Sequence, residues 1–579
     1  MEVNTTQRTP TILCLITLSI CAILVKAQPG VREPFEPKVQ LGKTTYNGLV
    51  LRVEGSKVPV YAFRGIYYAA PPTGKNRFAL PEPRRAVVGD YDATKYGPLC
   101  PQNVEYTSHA FKTPLPVTDT SEDCLTLDIY TPNLDPNRAP LTVMVWIHSG
   151  GFNIGGGSLL DGTALAAFQN VIVVTLNYRL GALGFLSTGD NQARGNWGLH
   201  DQIMALGWVY DNIKKFGGNG KQITIVGESA GAVSVALHYL SPLSSGHFQR
   251  GIAQSGTAIS HISMVDKPRM WANALAEVLL CSTDQSRKLV ECLRGKTIEE
   301  ILHADIDRKG HVGLIFTPVV DNSFLKSDPF FLLSSGRFLT NDFMVGFNQD
   351  GMGYDLMRSR GPPGLMDDFK PETFRVAANL ILQSFAPGDT TDIVDAVEGL
   401  YYPNKDVSDE STPLEKLLEA SGDCLFVAPA VATVDAFSAA RARTYMYEFR
   451  QRPSFSTLPS WVGADHGEDE YFLGLAFLGE DVRGNFEFTT EEKRFSHVMM
   501  SYWANFAKFG DPNGKHGRNN TMTDIGKLPY WPRYFPREKL YLKLESKPSV
   551  GKNIKPEKIG FWNKLFAAAS QNRKRHEEL

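Results

Sequence analysis

Apolar positions along the chain follow two alternating patterns. Short continuous runs, Leu141 to Ile147 (LTVMVWI), Val171 to Leu176 (VIVVTL) and Ile223 to Val226 (ITIV), are rich in β-branched residues and suit strands buried on both faces. Between them, Trp197 to Phe216 carries Leu199, Ile203, Leu206, Val209 and Ile213 at steps of three and four residues, the spacing of an amphipathic helix. Ala230 to Leu240 is also read as helix, because Ala and Leu are frequent and no proline intervenes before Pro242. Strands that alternate with helices predict a mostly parallel sheet covered on both faces. No Gly/Ser tract, long charge run or fixed-period repeat divides the chain, so the pattern predicts one large α/β domain with long excursions.

The N-terminal pattern differs. Ile12 to Val25 is an apolar run of 14 residues behind Arg8, followed by Lys26-Ala27, too short to span a bilayer comfortably. Residues 1–27 are therefore expected to be a secretory signal, an uncleaved anchor being the alternative; 28–570 are expected to form the folded domain and 571–579 a polar tail. At 579 residues, 42% hydrophobic and 21% charged, the chain can bury a large core, and its formal net charge of -2 gives no hint of nucleic-acid binding. Beyond the signal, no membrane-spanning segment is expected. Oligomeric state is not legible.

The stretch ITIVGESAGAVSVAL places Ser229 where an apolar run gives way to small residues and then to helix. A serine on such a strand-to-helix turn is strained, projects its hydroxyl above the sheet, and needs small neighbours, here Gly227 and Gly231. The helix that follows aims free N–H groups at the site where an oxyanion forms. Without that context the motif marks only a tight turn. Upstream, VMVWIHSGGFNIGGG runs from an apolar strand into a glycine-rich loop, in which Gly150 and Gly151 let backbone N–H groups approach a substrate oxygen. A phosphate-binding loop is the rival reading, but its Lys-Ser/Thr pair is absent.

With Cys14 and Cys21 in the signal, Cys100, Cys124, Cys281, Cys292 and Cys424 remain. In an oxidising lumen the two sequence-near pairs, Cys100 with Cys124 and Cys281 with Cys292, would each close a short loop, stabilising by roughly 3 kcal/mol. Cys424 is then a buried, inert thiol. No Cys/His spacing resembles a metal site, and no cofactor is expected. The sequon Asn519-Asn520-Thr521 lies in a polar stretch that tolerates a glycan.

Several collinear stretches carry a resemblance: SEDCLTLDIYTP, NYRLGALGFLSTGD, GNWGLHDQ, FGGNGKQITIVGESAGA, WVGADHGEDEYFLG and MMSYWANFAKFGDPNG. On these the sequence resembles the type-B carboxylesterases of the cholinesterase and lipase superfamily. The resemblance implies an α/β-hydrolase fold and ester hydrolysis through an acyl-enzyme on Ser229. It also implies an oxyanion hole from the N–H groups of Gly150, Gly151 and Ala230, and it matches the two cysteine pairs. Ser149 departs from it, standing where the family usually has a glycine.

Of the downstream histidines, His497 lies in a helical pattern, His516 in a polar loop and His576 near the end, and each is read as structural or solvated. His466, in GADHGEDE, matches the family's catalytic base. For the acid, VGFNQDGMGYD contains no glutamate. Aligned without a gap to liver-type esterases, their glutamate falls on Gly351; with the loop one residue shorter, Asp350-Gly351 takes the place of the Asp-Gly of bile-salt-stimulated lipases. The second alignment makes Asp350 the expected acid, an ordinary Asp-Gly turn being the alternative.

The substrate is expected to be a small-molecule or lipid ester. The primary expectation is a general carboxylic ester hydrolase, and the first alternative a bile-salt-stimulated-type lipase acting on neutral lipids. A non-catalytic adhesion protein of the same superfamily is a further alternative, disfavoured because Ser229 and His466 are both present. No tryptophan lies between Cys100 and Cys124 to hold choline. The terminal His-Glu-Glu-Leu resembles an endoplasmic-reticulum retrieval signal, so residence in that lumen is expected, with secretion as the alternative.

Overall fold

The strongest apolar runs become the middle of the sheet. The structure is a computed structural model, which describes residues 36–260, 264–265, 267–307, 314–353, 371–383, 390–403, 413–515, 522–523 and 526–577. The expected signal segment and Asn519 lie outside the described residues. Residues Pro37–Leu579 form one compact unit.

Its main sheet has eleven strands: β1 Leu49–Leu51, β2 Val60–Tyr67, β3 Thr126–Thr131, β4 Leu141–Ile147, β5 Ile172–Leu176, β6 Gly218–Glu228, β7 Arg250–Gln254, β8 Asp342–Asn348, β9 Thr444–Phe449, β10 Leu540–Leu544 and β11 Ser549–Lys552. Across the sheet the order is β11-β10-β9-β8-β7-β6-β4-β5-β3-β2-β1. From β5 through β10 every neighbour is parallel, while β11 at one edge and β3, β2 and β1 at the other pair antiparallel. This is the mostly parallel sheet of an α/β-hydrolase. Chain order reverses at β4, so the carboxyl ends of β4 and β6 lie side by side, where open α/β sheets place their sites.

Alternate residues of each strand enter different cores. Val143, Val145 and Ile147 of β4 pack into one cluster and Met144 and Trp146 into the other. The first cluster takes in helix α1 (Trp197–Asn212) through Leu199, Leu206 and Val209, and α2 (Ala230–Leu240) through Val235 and Leu237. The second takes in α3 (Thr490–Phe509) through Met499, Trp503 and Phe506. Burial on both faces explains why the central strands read as unbroken apolar runs. Helix α3 begins on a capping box, in which Glu492 N–H donates to Thr489 Oγ1 at 3.2 Å and Thr489 N–H to Glu492 Oε2 at 2.8 Å.

Both expected disulfides are formed, Cys100–Cys124 and Cys281–Cys292, and Cys424 is a buried free thiol whose ionisation burial opposes. The disulfides fit the oxidising conditions of the secretory pathway. Among the described residues, the helical run Pro413–Ala439 alone is long and apolar enough to cross a membrane, and 89% of its apolar window is buried inside the fold. It is a core element.

Candidate active site

Strand β6 ends at Glu228 and α2 begins at Ala230, which leaves Ser229 alone to turn the chain. Its backbone sits at φ 50°, ψ -116°, a conformation that costs a non-glycine residue on the order of 1–3 kcal/mol. Two hydrogen bonds hold it there: Ser229 N–H donates to Gln254 O at 2.8 Å, and Val233 N–H to Ser229 O at 2.9 Å. Close packing accounts for the flanking glycines. A Cβ on Gly231 would lie 2.0 Å from Ile147 O, and one on Gly227 would lie 2.4 Å from the Gly231 carbonyl carbon. Ser229 itself remains partly exposed.

The loop after β4 brings the backbone donors. Gly150 and Gly151 have φ 103° and 61°, and a Cβ on Gly150 would lie 2.1 Å from Ile154 O. The loop is held from several sides. Gln102 accepts from Gly155 N–H at 2.7 Å and donates to Gly155 O at 2.7 Å. Neutral His148, pushed down to about 4 by burial, stacks on Tyr178 with ring centroids 4.3 Å apart. Among the described residues, none accepts a hydrogen bond from the N–H groups of Gly150, Gly151 or Ala230. Three backbone donors are therefore left for a ligand.

His466 stands in the loop after β9 and is almost enclosed, with Phe426 against its ring at a centroid distance of 4.8 Å. Burial lowers its proton affinity to about 4, so the imidazole is neutral at physiological pH and able to accept a proton. Nε2 lies 3.3 Å from Oε1 of Glu228, the residue before Ser229. No hydrogen bond joins Ser229 Oγ to the ring among the described residues; such contacts often tighten only when substrate binds.

The expected pairing of Asp350 with His466 is not formed. Asp350 Oδ2 accepts from Gly463 N–H at 2.5 Å, and Asp350 N–H donates to Ala464 O at 3.0 Å. Asp350 and Asp465 thus lie side by side as a short parallel bridge, and the Asp350 carboxylate is spent on joining the two loops. The backbone of the next residue, Gly351, lies close enough to the His466 ring to favour its charged form, while the buried Nδ1 meets no acceptor in good hydrogen-bond geometry among the described residues.

Sequence reasoning missed the carboxyl groups on the other side of the ring. Glu228, the residue before Ser229, and Glu470, four residues beyond His466, both lie near Ser149, whose hydroxyl favours the ionised form of each. Burial first, then repulsion from neighbouring carboxylates, raises Glu228 well above the usual range, and burial together with Asp469 raises Glu470 to about 8. Asp469 is tied into the core, accepting from Gln254 at 2.8 Å and from Tyr447 at 3.4 Å. The acidic run Glu468-Asp469-Glu470 was the visible signal, but its burial was not.

A strained serine, a neutral histidine and three unoccupied N–H donors at adjoining strand ends suit acyl transfer. The Carboxylesterase family matches residues 36–562. The chain belongs to the carboxylesterase family. Carboxylesterase 5A of Felis catus is 39% identical over 523 residues, covering 88% of this chain and 90% of its own. Cocaine esterase of Homo sapiens is 38% identical over 558 residues, covering 93% and 94%. Liver carboxylesterase 1 of Oryctolagus cuniculus is 37% identical over 596 residues, covering 97% of this chain and all of its own. This carboxylesterase is accordingly an α/β-hydrolase that cleaves carboxylic esters.

Proposed function

We propose that ester cleavage runs through an acyl-enzyme on Ser229, with His466 as general base and the N–H groups of Gly150, Gly151 and Ala230 as the oxyanion hole. The observation that carries this reading is the strained turn at Ser229, a partly exposed residue, together with the N–H groups of Gly150, Gly151 and Ala230, which have no acceptor among the described residues. Attack of Oγ on the acyl carbon passes its proton to His466 Nε2, the donors stabilise the tetrahedral oxyanion, and collapse releases the alcohol, which takes the proton. Water then repeats the sequence on the acyl-enzyme.

Apolar esters of small soluble alcohols and acids are the substrates best supported. A cavity of about 430 Å³ adjoins the glycine loop at Asn153 and Ile154, and Leu180, Leu183, Ile301, Ile306, Ile315 and Phe316 line much of it. Neutral lipids are the second substrate class that this lining suits. The enzyme resides in the lumen of the endoplasmic reticulum, a reading supported by its two disulfides and by the His-Glu-Glu-Leu ending.

The test is a rate series across p-nitrophenyl esters of increasing acyl length, followed by an emulsified triacylglycerol with and without bile salt. A maximum at short esters supports the esterase, and faster turnover of the emulsion moves the assignment to lipase. A fluorophosphonate probe should label wild type and leave Ser229→Ala unlabelled; equal labelling of both moves the nucleophile elsewhere. Deleting residues 576–579 should send the protein into the medium, and unchanged retention overturns the compartment.

A further inference from the structure

The cavity of about 430 Å³ beside the glycine loop is walled mainly by apolar side chains, and among the described residues one charged side chain, that of Asp305, joins them. Asp305 is exposed and has no hydrogen bond or ion pair among the described residues. The aspartates that follow it in the chain are spent on turns. Asp321 accepts from Leu325 N–H at 2.9 Å and Asp328 from Phe331 N–H at 3.1 Å. Asp305 caps nothing, and it faces the space assigned above to the substrate. Resting on that assignment and on Ser229 as nucleophile, we propose that Asp305 makes the enzyme selective for esters that carry a cationic nitrogen on an otherwise apolar acyl or alcohol group.

The rest of the lining supports a cation rather than an anion. The rings of Tyr106 and Phe316 border the same space, and aromatic faces attract an ammonium group. The carboxamides in the wall are engaged in holding their own loops. Gln102 serves Gly155, Asn103 Oδ1 accepts from Tyr106 N–H at 2.8 Å, and Asn153 Nδ2 donates to Gly151 O at 2.6 Å. An anionic substrate group would therefore meet a carboxylate and apolar walls, with no cationic side chain in the lining among the described residues. An ammonium with an apolar body meets a counter-charge, two rings and a surface that covers the rest of it.

Asp305 acts on a part of the substrate remote from the scissile bond, so it sets specificity and takes no part in the chemistry. Its exposure keeps the effect modest, because water screens a surface charge pair. Salt screens it further, with a Debye length of roughly 10 Å at 0.1 M. Ring contacts are affected far less by salt, which separates the carboxylate's share of the preference from that of Tyr106 and Phe316.

The test uses pairs of esters equal in shape and different in charge. On the alcohol side these are trimethylammonioethyl butyrate and neohexyl butyrate, in which a carbon replaces the nitrogen. On the acyl side they are the p-nitrophenyl esters of trimethylammoniobutyric acid and of its tert-butyl isostere. The quantity read is the ratio of kcat/KM for the cation to that for its neutral partner, taken within one preparation so that the amount of folded enzyme cancels. In at least one pair Asp305→Asn should lower the ratio by roughly two- to fivefold, and Asp305→Lys should lower it again. Raising salt should lower the wild-type ratio and leave that of Asp305→Asn in place. Ratios that are the same for wild type, Asp305→Asn and Asp305→Lys in both pairs overturn the proposal, as does a wild-type ratio that salt does not move. Fluorophosphonate labelling is read in parallel. Labelled wild type that cleaves the neutral esters with unmoved ratios refutes the role of Asp305 alone, while wild type that never labels refutes Ser229 as nucleophile.

Discussion

The Asp350 carboxylate accepts a hydrogen bond from Gly463 N–H at 2.5 Å, tying the turn after β8 to the loop that carries His466. Its work in the structure is to join two loops. Asp350→Asn, which keeps an acceptor oxygen, should therefore retain kcat within about tenfold of wild type, whereas a triad acid so replaced loses about 10⁴. Steady-state kinetics on a p-nitrophenyl ester decide between the two; a loss beyond 10³ returns Asp350 to the role expected from sequence.

Gly231→Ala should abolish soluble, active protein. Its Cβ would stand 2.0 Å from Ile147 O, so α2 and β4 must separate and Ser229 moves with them. The cost should exceed about 3 kcal/mol. Chemical denaturation and the yield of labelled protein report it, and a variant of wild-type stability contradicts the packing described here.

The NYRLG and GNWGLHDQ stretches meet as a buried ion pair. Arg179 Nε donates to Asp201 Oδ2 at 2.7 Å and its terminal nitrogen to Oδ1 at 2.7 Å, with almost no exposure on either side. Asp201→Ala strands a buried guanidinium and should cost about 3–5 kcal/mol, while replacing both members by apolar residues of similar volume should cost much less. A double-mutant cycle measured by urea unfolding checks the difference.

Stability should also carry the mark of Glu470. Its folded proton affinity, raised to about 8, exceeds the ordinary value of 4.5, so the folded state binds more protons than the unfolded one between those pH values. The contribution is fully present below 4.5 and is lost as pH rises towards 8. Relative to wild type, Glu470→Gln should therefore gain stability across that window, on the order of 2 kcal/mol or more. Parallel unfolding curves at pH 5 and pH 8 test the sign.

Much of the scaffold was readable because its signals are local. The helix Ala230–Leu240 and the strand Leu141–Ile147 end where the apolar pattern ends, and Trp197 to Phe216 is helical to Asn212 before tightening into a 3₁₀ turn at Ile213–Phe216. Ser229 was legible because strand, glycine and helix signals coincide within a few residues. Asp350 was not, because the register between two distant loops decides whether its side chain or the Gly351 backbone meets the ring. One position along an extended segment exchanges the two sides. Glu228, Ser149 and Glu470 come from three separate stretches of the chain, and only packing reveals that they are neighbours.

Gln102 gives the glycine loop a property that concerns timing. One carboxamide satisfies both backbone groups of Gly155 and reaches them from the segment closed by Cys100–Cys124. The proposed oxyanion donors Gly150 and Gly151 are thereby ordered before substrate arrives, so that ordering adds nothing to the barrier of the chemical step. Cutting that clamp with Gln102→Ala should appear chiefly in the activation entropy of acylation, lowering the rate by nearly the same factor at every temperature, so that an Eyring plot shifts in intercept and keeps its slope.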